Sequence, residues 1–148
     1  MFRIRPANQD DIDQLVPLVD GYRQFYRQAS DNGGARRFLI ERLDQGDAHL
    51  LIALDDADTA IGFAQLFPVP STTSLTMRWI LNDLFVVPEA RRSGAGSALL
   101  KAAHELAADH GVPQLMLRTQ IENRTAQSRY AALGWQRDDA FYTYLLSV

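Results

Sequence analysis

Apolar residues recur along this chain with two different periods, and the switches between them mark out the elements. FRIR at residues 2–5 alternates apolar and basic positions before Pro6, which predicts a short first strand. Ile12, Leu15, Val16 and Val19 then fall at helical spacing after an acidic first turn. Pro17 and Gly21 interrupt that run, so the expectation is a helix that breaks and resumes. SDNGG reads as a loop, and Phe38, Leu39, Arg42 and Leu43 mark a second helix ending at Gly46.

The period then shortens. HLLIALDDADTAIGFAQLFPV reads as two strands around the turn Asp55-Asp56-Ala57-Asp58, and MRWILNDLFVV is a third apolar, β-rich run. A helix over residues 95–110 carries its apolar stripe on Leu99, Leu100, Ala103, Leu106 and Ala107. QLMLRTQ follows as a buried strand, NRTAQSRYAALG as a helix closed by Gly134, and AFYTYLLSV as a final strand. The order β, α, α, three strands, then α, β, α, β predicts one α/β domain over residues 1–148. Its front half is antiparallel and its second half holds a strand–helix–strand crossover.

Composition narrows the chemistry. Fifteen Lys plus Arg against eighteen Asp plus Glu leave a formal charge of −3, so no overall basic field favours nucleic acid. No cysteine is present, which excludes disulfides, thiolate metal sites and a cysteinyl thioester, and no metal site is expected. The opening MFRIRPANQDD lacks the apolar core of a signal peptide, and no apolar run approaches the roughly 18–20 residues of a membrane span. The expectation is a soluble cytoplasmic protein with no membrane partner.

The most informative stretch is LNDLFVVPEARRSGAGSALL, where a strand leads through two arginines and two glycines into a helix. A helix N-terminus carries unpaired N–H groups and partial positive charge, and glycine lets a ligand approach that backbone closely. RRSGAGS can therefore ring an anion with amides, with Arg91 and Arg92 adding charge-assisted hydrogen bonds to phosphate oxygens. The same glycines also suit a tight turn and close helix packing. Leu99 stands where a dinucleotide fingerprint needs a third small residue, and no Gly-Lys-Ser/Thr follows, so neither a NAD nor an ATP loop is matched.

VPEARRSGAGSALL, with Arg91, Gly94 and Gly96, resembles the Arg/Gln-x-x-Gly-x-Gly/Ala coenzyme A signature of the GNAT N-acetyltransferase superfamily. NRTAQSRYAALGW resembles its second signature, through Asn123, Ala126, Tyr130, Leu133, Gly134 and Trp135. The resemblance runs from about Leu81 to Trp135 and implies the GNAT fold. That fold is a mostly antiparallel central sheet with a splay between its two central parallel strands, flanked by helices.

The resemblance also implies roles. The acetyl-CoA pyrophosphate would rest on Arg91, Arg92, Ser93, Gly94, Ala95, Gly96 and Ser97, and pantetheine along the backbone of Phe85, Val86 and Val87. Asn123, Ala126 and Tyr130 complete the coenzyme site. Tyr130 would donate a proton toward the CoA sulfur and the Val86 N–H would stabilise the developing oxyanion.

With no cysteine available, direct attack by a neutral amine in a ternary complex is the simplest chemistry. Asp83 is the candidate base, or else it hydrogen-bonds a turn; Asn82 stands where polyamine-type relatives often carry a glutamate. Tyr26, Asp31, Trp79, Asn82 and Asp83 are the candidate acceptor-binding residues. Aromatic and acidic groups together suit an ammonium, so a small-molecule primary amine is the expected acceptor. The alternatives are an acyl-CoA-binding regulatory module without turnover, or acetylation of protein lysines or N-termini. FYTYLLSV, as an apolar edge strand, suggests a homodimer.

Overall fold

The computed structural model describes residues 1–148. Strands β1 (Phe2–Pro6), β2 (His49–Asp55), β3 (Ala60–Ser71), β4 (Thr76–Val86) and β5 (Leu115–Met116) form one sheet in the order β1-β2-β3-β4-β5. The first three pairings are antiparallel and β4–β5 is parallel. Helices α1 (Ile12–Phe25), α2 (Asn32–Gln45), α3 (Ala95–Asp109) and α4 (Arg124–Ala132) complete the order. The chain divides into two compact units, residues 1–118 and residues 119–148.

Alternation along the strands sorts the core into two layers. Leu50, Ile52, Leu54 and Phe63 pack with Ile12, Leu15, Val16 and Val19 of α1 and Ala35 and Leu39 of α2. On the other face α3 lies against β2, β3 and β4, burying Leu99, Leu100, Ala103 and Ala107. Gly62 is required there. A Cβ at Gly62 would sit 2.8 Å from the Phe85 carbonyl and 3.3 Å from Leu99.

Four expectations differ from the structure. α1 runs through Pro17 and Gly21 without a break. Pro17 is exposed while its neighbours Leu15, Val16, Leu18 and Val19 are buried, so the apolar face holds the helix together despite one missing N–H. Pro17→Ala restores that donor and is expected to raise stability by roughly 1–3 kcal/mol in urea unfolding. Gly21 has a packing reason: a Cβ there would lie 3.3 Å from the Phe85 ring.

α2 starts earlier than the SDNGG loop suggests, at Asn32, because the Asp31 carboxylate accepts the Gly34 N–H at 2.8 Å and caps it. Gly46 closes α2 with a left-handed φ of 62°, as the sequence indicates.

In the C-terminal unit the last strand is absent: AFYTYLLSV has no regular secondary structure, and Phe141, Tyr142, Tyr144, Leu145 and Leu146 are exposed. Aromatic and aliphatic side chains favour a strand only where a ladder partner and a covered face are present, and this segment has neither. QLMLRTQ likewise shrinks to the two residues Leu115 and Met116, opposite Trp79 and Ile80. β4 therefore continues for six residues, Leu81 to Val86, past its last pairing with β5.

Candidate active site

β4 carries two different kinds of group toward its C-terminal end, one in its backbone and one in a side chain. The Val87 N–H donates to the Ile61 carbonyl at 2.9 Å, which makes Val86 and Gly62 a non-hydrogen-bonded pair. The Val86 N–H and C=O consequently turn away from β3, toward the side that β5 leaves open. Phe85, one residue earlier, spends its backbone groups on β3. The Val86 carbonyl accepts Arg91 Nε at 3.1 Å, and the Arg91 guanidinium lies 5.7 Å from the centre of the Phe85 ring.

The glycine turn follows. Gly94 is the N-cap of α3 with a φ of 91°, and Arg92 is also left-handed at 67°. No side chain caps α3, and its first turn contains no acidic residue. The Ala95 N–H reaches Ser93 Oγ at 3.3 Å, and the first intrahelical bond runs from the Ala98 N–H to the Gly94 carbonyl at 3.0 Å. Gly94, Gly96 and Ser97 thus keep donors with no intrahelical acceptor, at the positive end of a fifteen-residue helix. The set fits an anion such as pyrophosphate: amide donors and arginines, with no acidic residue in the first turn of α3.

The side chain is Asp83, on the sheet face covered by α1 and α2. A cavity of about 390 Å³ opens beside it, lined by Tyr22, Ala35, Phe38, Phe63 and Gln65 among others. Asp83 Oδ2 accepts Gln65 Nε2 at 3.0 Å, and Oδ1 accepts Asn82 Nδ2 at 3.0 Å. The Tyr22 hydroxyl donates to the Asn82 carbonyl at 3.2 Å. All these partners are uncharged, and Asp83 takes part in no ion pair. Burial therefore pushes its carboxyl above the usual carboxylate range, with the hydrogen bonds from Gln65, Asn82 and Tyr22 pulling the other way. Burial also raises the Tyr22 phenol, reinforced by the Asp83 charge, so Tyr22 stays protonated.

Asp31, Asn82 and Asp83 are brought together at this cavity. Tyr26 is not in its wall; it lies at the C-cap of α1 with its ring edge-on to Tyr22 at 5.1 Å. Trp79 is buried elsewhere, stacked on His49 at 4.1 Å between ring centres. In the C-terminal unit Asn123 caps α4, its Oδ1 accepting the Ala126 N–H at 3.2 Å, and the Tyr130 ring lies 6.1 Å from that of Trp135.

Two polar residues of this region escaped the sequence reading. Gln65 was legible in principle, as the one polar residue at an inward position of AIGFAQLF. Asp20 is buried under the α1–α2 loop, where it accepts Ser30 Oγ at 2.7 Å, the Asp31 N–H at 2.7 Å and Gln24 Nε2 at 2.9 Å. Chiefly through the Ser30 hydroxyl and the Asp31 amide, these bonds hold its carboxyl below the usual range. They also fix the start of α2, and with it one wall of the cavity.

The family model for the acetyltransferase (GNAT) family matches residues 15–135. The chain belongs to the GNAT acetyltransferases. It is 46% identical over 145 residues to an uncharacterized N-acetyltransferase, YhfO, of Bacillus subtilis (strain 168), covering 98% of this chain and 97% of that one. A crystal structure of a probable acetyltransferase superposes with a TM-score of 0.92 at 36% identity, over 99% of this chain and 97% of its own. An aminoglycoside N-acetyltransferase solved in complex with CoA shares the fold, with a TM-score of 0.85 at 20% identity over 100% of this chain and 96% of its own. In this GNAT chain the glycine turn lies within the coenzyme A signature, and the open length of β4 leads directly into it.

Proposed function

We propose that residues 1–148 act as a single N-acetyltransferase domain that passes an acetyl group from acetyl-CoA directly to the primary amine of a small molecule. The observation that carries this reading is Asp83: a half-buried carboxylate with raised proton affinity and no cationic partner, at the wall of a cavity and three residues from the outward-turned Val86 N–H. A buried anion without a counter-charge is costly, and an incoming ammonium relieves that cost.

The ammonium first yields a proton to Asp83, which passes it to solvent. The neutral nitrogen then attacks the thioester carbon, and the Val86 N–H donates to the oxygen as it gains negative charge. Asp83 takes the second nitrogen-bound proton as the amide forms, and the carbon–sulfur bond breaks. The departing thiolate takes a proton from Tyr130, the role that the second signature implies for this residue, and solvent returns that proton. Amine and acetyl-CoA thereby become N-acetylamine and free CoA. Pyrophosphate on the amides of Gly94, Gly96 and Ser97, with Arg91 and Arg92 alongside, supplies the binding energy that holds the thioester in place.

Initial velocities measured while both substrates vary test this order. Intersecting double-reciprocal lines and a Tyr130→Phe kcat lowered by about tenfold or more are expected, with the KM for acetyl-CoA nearly unchanged. Parallel lines would indicate an acetyl-enzyme instead.

A further inference from the structure

The cavity beside Asp83 is chemically lopsided, and this bears on which amine it takes. Three charged side chains reach its wall: Arg23, Asp31 and Asp83. Arg23 is committed, its Nη1 donating to the Ala29 carbonyl at 2.7 Å and lying 3.8 Å from Asp20. The Asp31 carboxylate is committed as the cap of α2, where the positive end of the helix offsets its charge. Asp83 alone has neither a cation nor a helix end to balance it.

Away from Asp83 the wall is mainly hydrocarbon, from Val19 of α1, Ala35 and Phe38 of α2, Phe63 of β3 and the ring of Tyr22, while the amides of Gln65 and Asn82 lie beside the carboxylate. The Tyr22 hydroxyl is already turned to the Asn82 carbonyl. At about 390 Å³ the cavity falls in the ordinary range for a small-molecule site.

Resting on the acetyl-transfer reading above, we infer that the acceptor is a monoamine with an apolar body, its single ammonium at Asp83 and its carbon skeleton against Val19, Ala35, Phe38 and Phe63. A second ammonium, as in a polyamine, finds an already balanced Asp31 with Arg23 nearby. Beyond the few that Gln65, with its unpartnered Oε1, and Asn82 can meet beside Asp83, the hydroxyl groups of an aminosugar face hydrocarbon, a poor exchange for water. An aryl-alkyl or alkyl amine loses nothing on the apolar wall and gains roughly fourfold in affinity for each methylene buried.

Phe38 is the side chain to change, because it is 41% exposed and can be replaced without opening the core. With acetyl-CoA saturating, kcat/KM is measured for phenethylamine, hexylamine, spermidine, kanamycin and a lysine-containing peptide, using wild type and Phe38→Ser. The expected result is a preference of about tenfold or more for phenethylamine and hexylamine over the others, shrinking severalfold in Phe38→Ser, whose circular dichroism stays that of wild type. Ala35→Leu, which narrows the apolar end, is expected to raise the KM for phenethylamine while leaving the KM for acetyl-CoA unchanged. A preference for spermidine, kanamycin or the peptide would overturn the apolar-monoamine inference and leave amine acetylation standing. CoA binding with no thiol release from any amine would overturn the acetyl-transfer reading, and this inference with it.

Discussion

Asp83→Asn is expected to lower kcat by about 10²- to 10⁴-fold while leaving the folded protein as stable as wild type, or more stable, at pH 7. The two halves of that result have one cause. Burial raises the Asp83 carboxyl, so the folded state holds a proton more tightly there than the unfolded chain does. A raised carboxyl favours folding fully below its unfolded value of about 3.9, and that advantage is lost as pH rises through the folded value. At neutral pH the wild type therefore bears an unbalanced carboxylate that asparagine removes. Asparagine can still accept a hydrogen bond from Gln65 but cannot take a proton from the amine. Urea unfolding at pH 7 and pH 4 checks the stability half: the gain of the variant should be present at pH 7 and fade toward pH 4. In the wild type, the acid limb of the kcat profile should lie above the usual carboxylate range. A variant that kept full activity would remove Asp83 from the chemistry.

Gly94→Val is expected to weaken acetyl-CoA binding by about tenfold or more, with a smaller effect on the amine KM. Space is not the reason, since a Cβ at Gly94 would come no nearer than 3.9 Å to the Phe2 ring. Conformation is the reason. The φ of 91° is one a β-branched residue avoids, at a cost of about 1–3 kcal/mol, and relaxing it turns the first amides of α3 away from a bound anion. Calorimetric titration of CoA and of dephosphorylated pantetheine separates the effects. CoA should lose affinity and pantetheine should not, because only CoA carries the pyrophosphate. Equal losses for both would mean that the turn shapes the whole site rather than the phosphate end.

How much of this was legible in the sequence depends on how local the cause is. The glycine turn is a local matter of φ and spacing, so Gly94 and the α3 stripe could be read directly. Pro17 misled because its penalty is local while the compensation from Leu15, Val16, Leu18 and Val19 comes from the sheet. The last strand misled in the opposite sense: AFYTYLLSV has the composition of a strand, and strands are made by partners. The cavity beside Asp83 was out of reach for the same reason. Val19, Ala35, Phe63 and Asp83 meet only after α1 and α2 fold over β3 and β4, and no spacing along the chain announces which of them share a wall. Asp83 itself could be named a candidate, but its lack of a counter-charge is a property of the folded neighbourhood. Trp79, a candidate as an aromatic partner for an ammonium beside the main strand, lies against His49 because the register of β3 and β4 shifts at Gln65 and Leu66, between its position and that of Asp83.

The central claim is that one acetyl group moves to an amine for each CoA set free. Its most direct test is to follow free thiol and N-acetylated amine together in the wild-type protein supplied with acetyl-CoA and, in turn, each amine of the panel above. The account predicts that both products rise one for one, that neither appears without the amine, and that Asp83→Asn suppresses them equally. Thiol release that ignored the amine, or CoA bound tightly with no product at all, would contradict it.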